Sequence, residues 1–303
     1  MKNFTLSLIA LSLYACTPAA ETQTETNTDT AVSEQSVSVE TPTTNFVWPR
    51  SYDHMPEGAT LVFSATRDWR HDSGIGGAQG FLGREADAAK AANSEGFGLF
   101  ITEDPRVFSD ENLKKFAVIV LNNASGNILN AEQETAIQNF VESGKGLVAI
   151  HAAGDSSLAG FWPWWEEQLG TEFVSHPADP QFQTAEVVVL AEGHPVMAGL
   201  GPKFSHKDEW YTFTGPVAGE VVVLAGLDES TYSPVNKVYG VEDLRMGPEP
   251  EDHPIIWAKC PGNGRIVYSA LGHKADSYDS DPNQLLMRNM MDWARNGGNT
   301  GCP

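Results

Sequence analysis

Short, nearly continuous apolar runs alternate with longer stretches of mixed polarity through the first half of the chain. Residues 59–65, 97–102, 116–121 and 147–150 are the apolar runs. Each is too short for a buried helix and reads as a strand covered on both faces. Between them, residues 75–94 read as a helix with Gly96 as its stop. Residues 131–141 read as a second helix, with Ala136, Ile137, Phe140 and Val141 on one side. This alternation predicts an α/β protein with a doubly wound parallel sheet, and right-handed crossovers bring the chain ends after Ala65, Leu121 and Ile150 to one edge.

Past Asp155 the pattern becomes mixed. Residues 186–190, 221–225 and 255–259 read as further strands. Pro261-Gly262-Asn263-Gly264 supplies turn chemistry for a hairpin into residues 265–270, and residues 283–294 read as a final helix. Residues 231–252, rich in Pro, Gly and acidic side chains, read as a lid or insertion. At the other end, residues 17–45 lack Lys, Arg and aromatic side chains and cannot bury enough apolar surface to fold. They are expected to form a tether, with the folded domain at residues 46–303 and its start near Phe46 or Trp48.

The N-terminus carries an address. Lys2 gives a positive start, and residues 4–13 form an apolar segment too short to span a bilayer. Leu13-Tyr14-Ala15-Cys16 resembles a bacterial lipobox, so residues 1–16 are expected to be a lipoprotein signal, with Cys16 acylated and the chain held on the cell envelope. Thr17, where a retention signal would carry Asp, favours the outer membrane, facing the periplasm or the exterior. Cys260 and Cys302 then lie in an oxidising compartment, either as a disulfide pinning the C-terminal tail or as two separate thiols. The net charge of -21 would repel phosphate and excludes nucleic acid as a partner.

Chemistry-bearing groups stand at the ends of the apolar runs. His151 follows the run 147–150 with only small residues behind it, and ligands of open α/β sheets sit beyond such strand ends. His273, after the run 265–270, is placed to reach the same rim. With Glu209, these imidazoles make a ligand set for zinc or another divalent ion, with His176 as a further donor. Without metal, His151, His273 and Glu209, together with His71 in the loop after the first strand, offer a base and an acid. Asp208 and Glu209 are adjacent in an extended segment, so only one faces the site, and Glu209 is chosen because Tyr211 shares its face. His194 reads as a packing residue and His206 as solvent-facing, while His253 is left open. Trp162, Trp164, Trp165 and Trp210 could stack on sugar rings, with Tyr211 and Asp155 completing a substrate surface. Gly74-Ile75-Gly76-Gly77 only hints at an anion-binding helix start.

The succession SATRDWRHDS, GLVAIHAAGD, FWPWWEEQLGTEFVSHP, GHPVMAGLG, KDEWYTF, HPIIWAK and GRIVYSALGHKADSY resembles the ThuA-like family, named for trehalose utilisation, over roughly residues 60–297. The resemblance implies a flavodoxin-like sheet related to the class I glutamine amidotransferase domain, with a mixed C-terminal part. Where an amidotransferase carries its catalytic Cys, this chain has His151, and Cys260 lies far off, so glutaminase chemistry is excluded. The resemblance also implies carbohydrate catabolism, with a glycoside or 3-keto-sugar as substrate for isomerisation, elimination or hydrolysis. The alternative is a non-catalytic sugar-binding lipoprotein that uses the tryptophans.

Overall fold

The computed structural model describes residues 57–92, 98–238, 243–298 and 300–303. The leader, Cys16, the tether, the expected folding start at Phe46 or Trp48, Gly96 and residues 239–242 of the expected lid lie outside the described residues. The first half runs β1 (Ala59–Phe63), α1 (Asp72–Ala91), β2 (Leu99–Thr102), α2 (Asp110–Leu113), β3 (Phe116–Asn122), α3 (Ala131–Glu142) and β4 (Gly146–Ile150). Then come α4 (Pro163–Leu169), β5 (Phe173–Ser175), β6 (Phe182–Val189), β7 (Lys203–Glu209) and β8 (Thr212–Phe213). The chain closes with β9 (Val222–Asp228), β10 (Pro254–Lys259), β11 (Arg265–Ser269) and α5 (Asp281–Asn296).

Nine strands form one sheet in the order β2-β1-β3-β4-β11-β10-β9-β6-β7. The first five are parallel neighbours, and their order is the flavodoxin-like 2-1-3-4-5 arrangement with β11 as fifth strand. Every residue of β1, β4 and β11 is buried, which is why β1 and β4 are apolar almost without interruption, while β11 keeps an apolar centre between buried Arg265 and Ser269. The remaining strands pair antiparallel. In β7 the alternation is visible: Phe204, His206 and Asp208 point inward while Lys203, Ser205 and Lys207 face solvent. His206 is therefore buried, 3.0 Å from Ser277 Oγ, and not solvent-facing as its polar neighbourhood suggested.

Counting directions across the sheet, the carboxyl ends of β7, β11 and β4 all lie at one rim. Strand spacing alone would put β4 and β7 about 24 Å apart on a flat sheet. The register removes that distance. β6 pairs with β9 only over Glu186–Val189, but with β7 over Phe182–Val188, so the far part of the β6–β7 hairpin overhangs the rim. Sheet twist carries the overhang back over the ends of the parallel strands, and Asp208 and Glu209 arrive beside β4 and β11.

α1 begins three residues earlier than its sequence suggests, at Asp72, and His71 is its N-cap residue. Two of its glycines, Gly74 and Gly77, serve close packing. A Cβ on Gly74 would lie 2.2 Å from the carbonyl oxygen of Gly272, and one on Gly77 would lie 2.6 Å from Cα of Ala275. Gly76 has nothing within 4 Å of such a Cβ. Cys260 and Cys302 form a disulfide with Cα atoms 5.7 Å apart, tying the chain end to β10. The described parts of the 231–252 segment are packed down: Leu244 is buried, and Val235 bridges to Asp243.

Substituting the two helix glycines separates packing from propensity. Gly74→Ala should lower the melting temperature clearly, by the equivalent of about 2 kcal/mol or more of overpacking. Gly76→Ala should be neutral or raise stability by roughly 0.5–1 kcal/mol. Equal effects in thermal denaturation would contradict the close approach of α1 to residues 272–275.

Candidate functional site

Four side chains from four separate segments meet at the rim. His71, His151, Glu209 and His273 each place a ligand atom within 4.8 Å of all the others. His151 Nε2 lies 3.2 Å from His273 Nδ1 and 3.3 Å from Glu209 Oε2, while His273 Nδ1 lies 3.0 Å from the same oxygen. Around a tetrahedral zinc with bonds of about 2.0–2.1 Å, neighbouring ligand atoms are about 3.3 Å apart. The three donors thus have nearly the spacing that a shared ion requires. His71 stacks edge-on against both other histidines, with ring centroids 4.9 and 4.6 Å away, and its buried Nδ1 has no hydrogen-bond partner. An orphaned buried imidazole nitrogen beside three convergent donors fits a divalent cation.

The backbone prepares each donor. His151 has φ of 48°, a left-handed conformation that costs a non-glycine residue about 1–2 kcal/mol and turns the chain sharply at the strand end. Its Nδ1–H donates to the Ala270 carbonyl at 2.6 Å, which leaves the Nε2 lone pair facing the other donors. Tyr268 Oη donates to the His151 carbonyl at 3.0 Å and holds the turn. Asp208, the neighbour facing away, has a structural task of its own. Its carboxylate accepts the amides of Gly272 at 2.8 Å and His273 at 3.2 Å, and the Ser277 hydroxyl at 2.8 Å. Both acids are therefore used, Glu209 in the cluster and Asp208 behind it.

Burial works against charge on Glu209, but hydrogen bonds from His151 and His273 and the charges of His151 and His176 more than offset it, so its carboxyl stays far below the usual range. Burial likewise opposes the His151 cation, yet the Glu209 bond and the charges of Glu209 and Asp208 raise its pKa. His71 behaves oppositely: burial, reinforced by its imidazole neighbours, pushes it down to about 3. It keeps a free lone pair at any physiological pH.

A cleft of about 430 Å³ opens over the cluster. His71, His176, Glu209, Tyr211 and His273 line it, with Asp155, Phe173, Gln181, Trp69 and Val238 on its walls. That volume lies within the range of about 300–1,000 Å³ typical of small-molecule sites. The Tyr211 ring packs 4.2 Å from that of His151. Asp155 accepts the Ser157 amide at 2.9 Å and its hydroxyl on one oxygen. Burial outweighs those bonds and raises the Asp155 pKa.

Several expected residues fall elsewhere. His176 faces the other oxygen of Glu209, 3.2 Å from Oε1, where Gln181 also donates, so it stands outside the four-residue cluster. The tryptophans proposed as a sugar platform are core residues. Trp162, Trp165 and Trp210 are at most 2% exposed, the Trp165 indole donates to the Ala153 carbonyl, and that of Trp210 to Gln183. Trp164 is half-buried and donates to Glu142 at 3.0 Å, away from the cleft. Burying three adjacent indoles gains more apolar contact than leaving them in water. His194 caps a turn by accepting the Val196 amide, as expected of a packing residue. His253 pairs with Glu229 at 2.6 Å and with the Tyr211 carbonyl, bracing the cleft wall from behind. Trp69, two residues before His71 in the loop after β1, lines the cleft although its sequence context alone does not set it apart.

The family model described as ThuA, trehalose utilisation, matches residues 59–294. No curated protein matches the sequence. Among solved structures, a ThuA-like protein from Bacteroides uniformis is similar with 27% identity and a TM-score of 0.63, covering 83% of this chain and 98% of that one. A ThuA-like protein from Parabacteroides merdae has 18% identity and a TM-score of 0.59 over 80% of this chain and 91% of its own. A cytoplasmic protein from Salmonella typhimurium shares the fold at 10% identity and a TM-score of 0.50, over 78% and 98%.

Metal titration tests the cluster directly. Purified protein stripped by chelator should take up one zinc ion per chain, and His151→Ala should reduce uptake at least tenfold while remaining folded by circular dichroism. Protonation of His151 competes with the ion, and its pKa is raised, so affinity should fall as the pH is lowered. His71, at about 3, adds nothing to that dependence. An affinity that stays constant between pH 7.5 and 5.5 would contradict this assignment.

Proposed function

This chain belongs to the ThuA trehalose-utilisation family, and from that premise we propose that it is a metal-dependent enzyme acting on a 3-keto-glycoside in sugar breakdown. The observation that carries the reading is the set of three donors 3.0–3.3 Å apart on the floor of an open cleft, with a fourth histidine beside them. A cation held there would withdraw charge from a carbonyl oxygen of the bound sugar. A ketone at C3 acidifies the adjoining C–H, so a base on the cleft wall can remove that proton as charge moves onto the carbonyl oxygen.

Asp155 is the residue placed for that proton. It lines the cleft, Ser157 fixes its orientation, and burial raises its pKa, which strengthens it as a base. Returning that proton to C3, as the proton of the C2 hydroxyl passes to the C3 oxygen, completes an isomerisation to the 2-ketone. Alternatively, the C1–O bond breaks, the glycosidic oxygen departs with its electron pair and takes up the proton held by Asp155, and an elimination results. Tyr211 and Phe173, packed 4.4 Å apart, keep one wall apolar and limit water beside the reacting carbon. Hydrolysis through paired carboxylates has less support, since Glu209 is engaged by three histidines and Gln181. The sugar-binding alternative is also weakened, because three of its four tryptophans, Trp162, Trp165 and Trp210, lie in the core.

We also propose that the chain works at the cell envelope, anchored by acylated Cys16. The Cys260–Cys302 disulfide supports an oxidising compartment.

Two experiments decide these points. With synthetic 3-keto-glycosides and product detection by mass spectrometry, Asp155→Asn should lower kcat at least 100-fold and keep its zinc, whereas His151→Ala should lose both. Full activity in Asp155→Asn would remove Asp155 from the reaction. For the anchor, full-length protein expressed in a bacterial host should partition with membranes and carry a lipid mass, and Cys16→Ser should abolish both. Unmodified, soluble wild-type protein would refute it.

A further inference from the structure

Trp69 breaks the pattern of the other tryptophans. Its side chain is 71% exposed, whereas Trp162, Trp165, Trp210, Trp257 and Trp293 are at most 2% exposed. Exposed indoles forfeit much of the stabilisation that burial offers, and an isolated one at a cleft mouth points to a ligand.

The backbone around it is held from several sides. The Arg67 amide donates to the Ser125 carbonyl at 2.9 Å, the Ser125 hydroxyl donates to the Trp69 carbonyl at 3.2 Å, and the Trp69 amide donates to Asp68 at 2.9 Å. Arg70, the next residue, is clamped by Asp72 at 2.7 Å and Glu103 at 2.6 Å. A pinned backbone with a free ring is a preorganised contact surface, which lowers the ordering cost of binding. His71 follows two residues later, so the two Cα atoms are within about 7 Å of each other. The ring thus stands beside the cluster but nearer solvent, and Val238, 58% exposed, also lines the cleft.

We propose that Trp69 selects two-ring substrates: its indole stacks on the outer pyranose of a neutral glycoside whose inner ring sits over the His71–His151–Glu209–His273 cluster. Pyranose rings present C–H faces that suit the electron-rich face of an indole. The lining contains Asp155 and Glu209 but no Lys or Arg among the described residues, so a phosphorylated sugar is disfavoured. This inference rests on the 3-keto-glycoside reading for the inner ring, and its own content is the outer ring.

The test uses calorimetry on the full-length, zinc-loaded protein with a 3-keto-disaccharide and the matching 3-keto methyl glycoside. Wild type should bind the two-ring probe about tenfold more tightly. Trp69→Ala should lose that preference without changing zinc content or affinity for the one-ring probe, and Trp69→Phe should keep most of it. A wild type without preference, or a Trp69→Ala variant that retains it, overturns the proposal. The underlying reading is tested separately in the same series: if His151→Ala binds and converts both probes like wild type, the metal-centre reading falls while the Trp69 comparison still reports.

Discussion

The carboxylate of Glu209 is the contact on which the site depends. It is almost fully buried, and a lone buried carboxylate costs several kcal/mol unless partners satisfy it. Its partners come from distant parts of the chain: His151 after β4, His273 after β11, and Gln181 and His176 just ahead of β6. One acid therefore satisfies its own oxygens and supplies the counter-charge for a group of buried imidazoles. The same contact fastens the overhanging β6–β7 hairpin to the parallel half of the sheet. Asp208 adds further ties to the same rim through the Gly272 and His273 amides and the Ser277 hydroxyl, but only Glu209 places negative charge among the histidines themselves.

The rest of the site is built from backbone devices that make this convergence possible. A left-handed residue at the end of β4 throws the His151 side chain toward the rim. Gly74 lets α1 approach the Gly272–His273 loop closely enough for His71 to join from the other side. Asp208 binds two amides of that loop and sets the position of His273. Neither Gly74 nor Asp208 need touch a ligand, yet each sets the position of a residue of the cluster. This is how a parallel sheet assembles a site from loops that are remote in sequence.

The strained turn after β4 presents an imidazole whose Nδ1 is committed to the Ala270 carbonyl. A histidine fixed in this way keeps its other nitrogen directed at the cluster. The ThuA-like relative at 27% identity spans almost its entire length in the match, so the fold is shared as a unit.

Much of this was legible in the residues. The parallel strands announce themselves through unbroken apolar runs, because burial on both faces leaves no room for polar side chains. His71, His151, Glu209 and His273 were each identifiable from their places at strand ends. The choice of Glu209 over Asp208 followed from alternation along one extended segment. What alternation could not say is that Asp208 would also be used, on the opposite side, because that depends on a loop more than sixty positions later. The tryptophans show the complementary limit. Trp164 and Trp165 are conspicuous as a cluster, but composition does not report exposure, and the core takes large apolar rings wherever packing admits them. Local pattern therefore determined the strands, the helices and the short list of reactive groups, since these follow from periodicity and chain ends. Only the tertiary structure decided which of those groups meet and which aromatic faces solvent, because both depend on sheet curvature and register, quantities summed over many pairings that no single stretch contains.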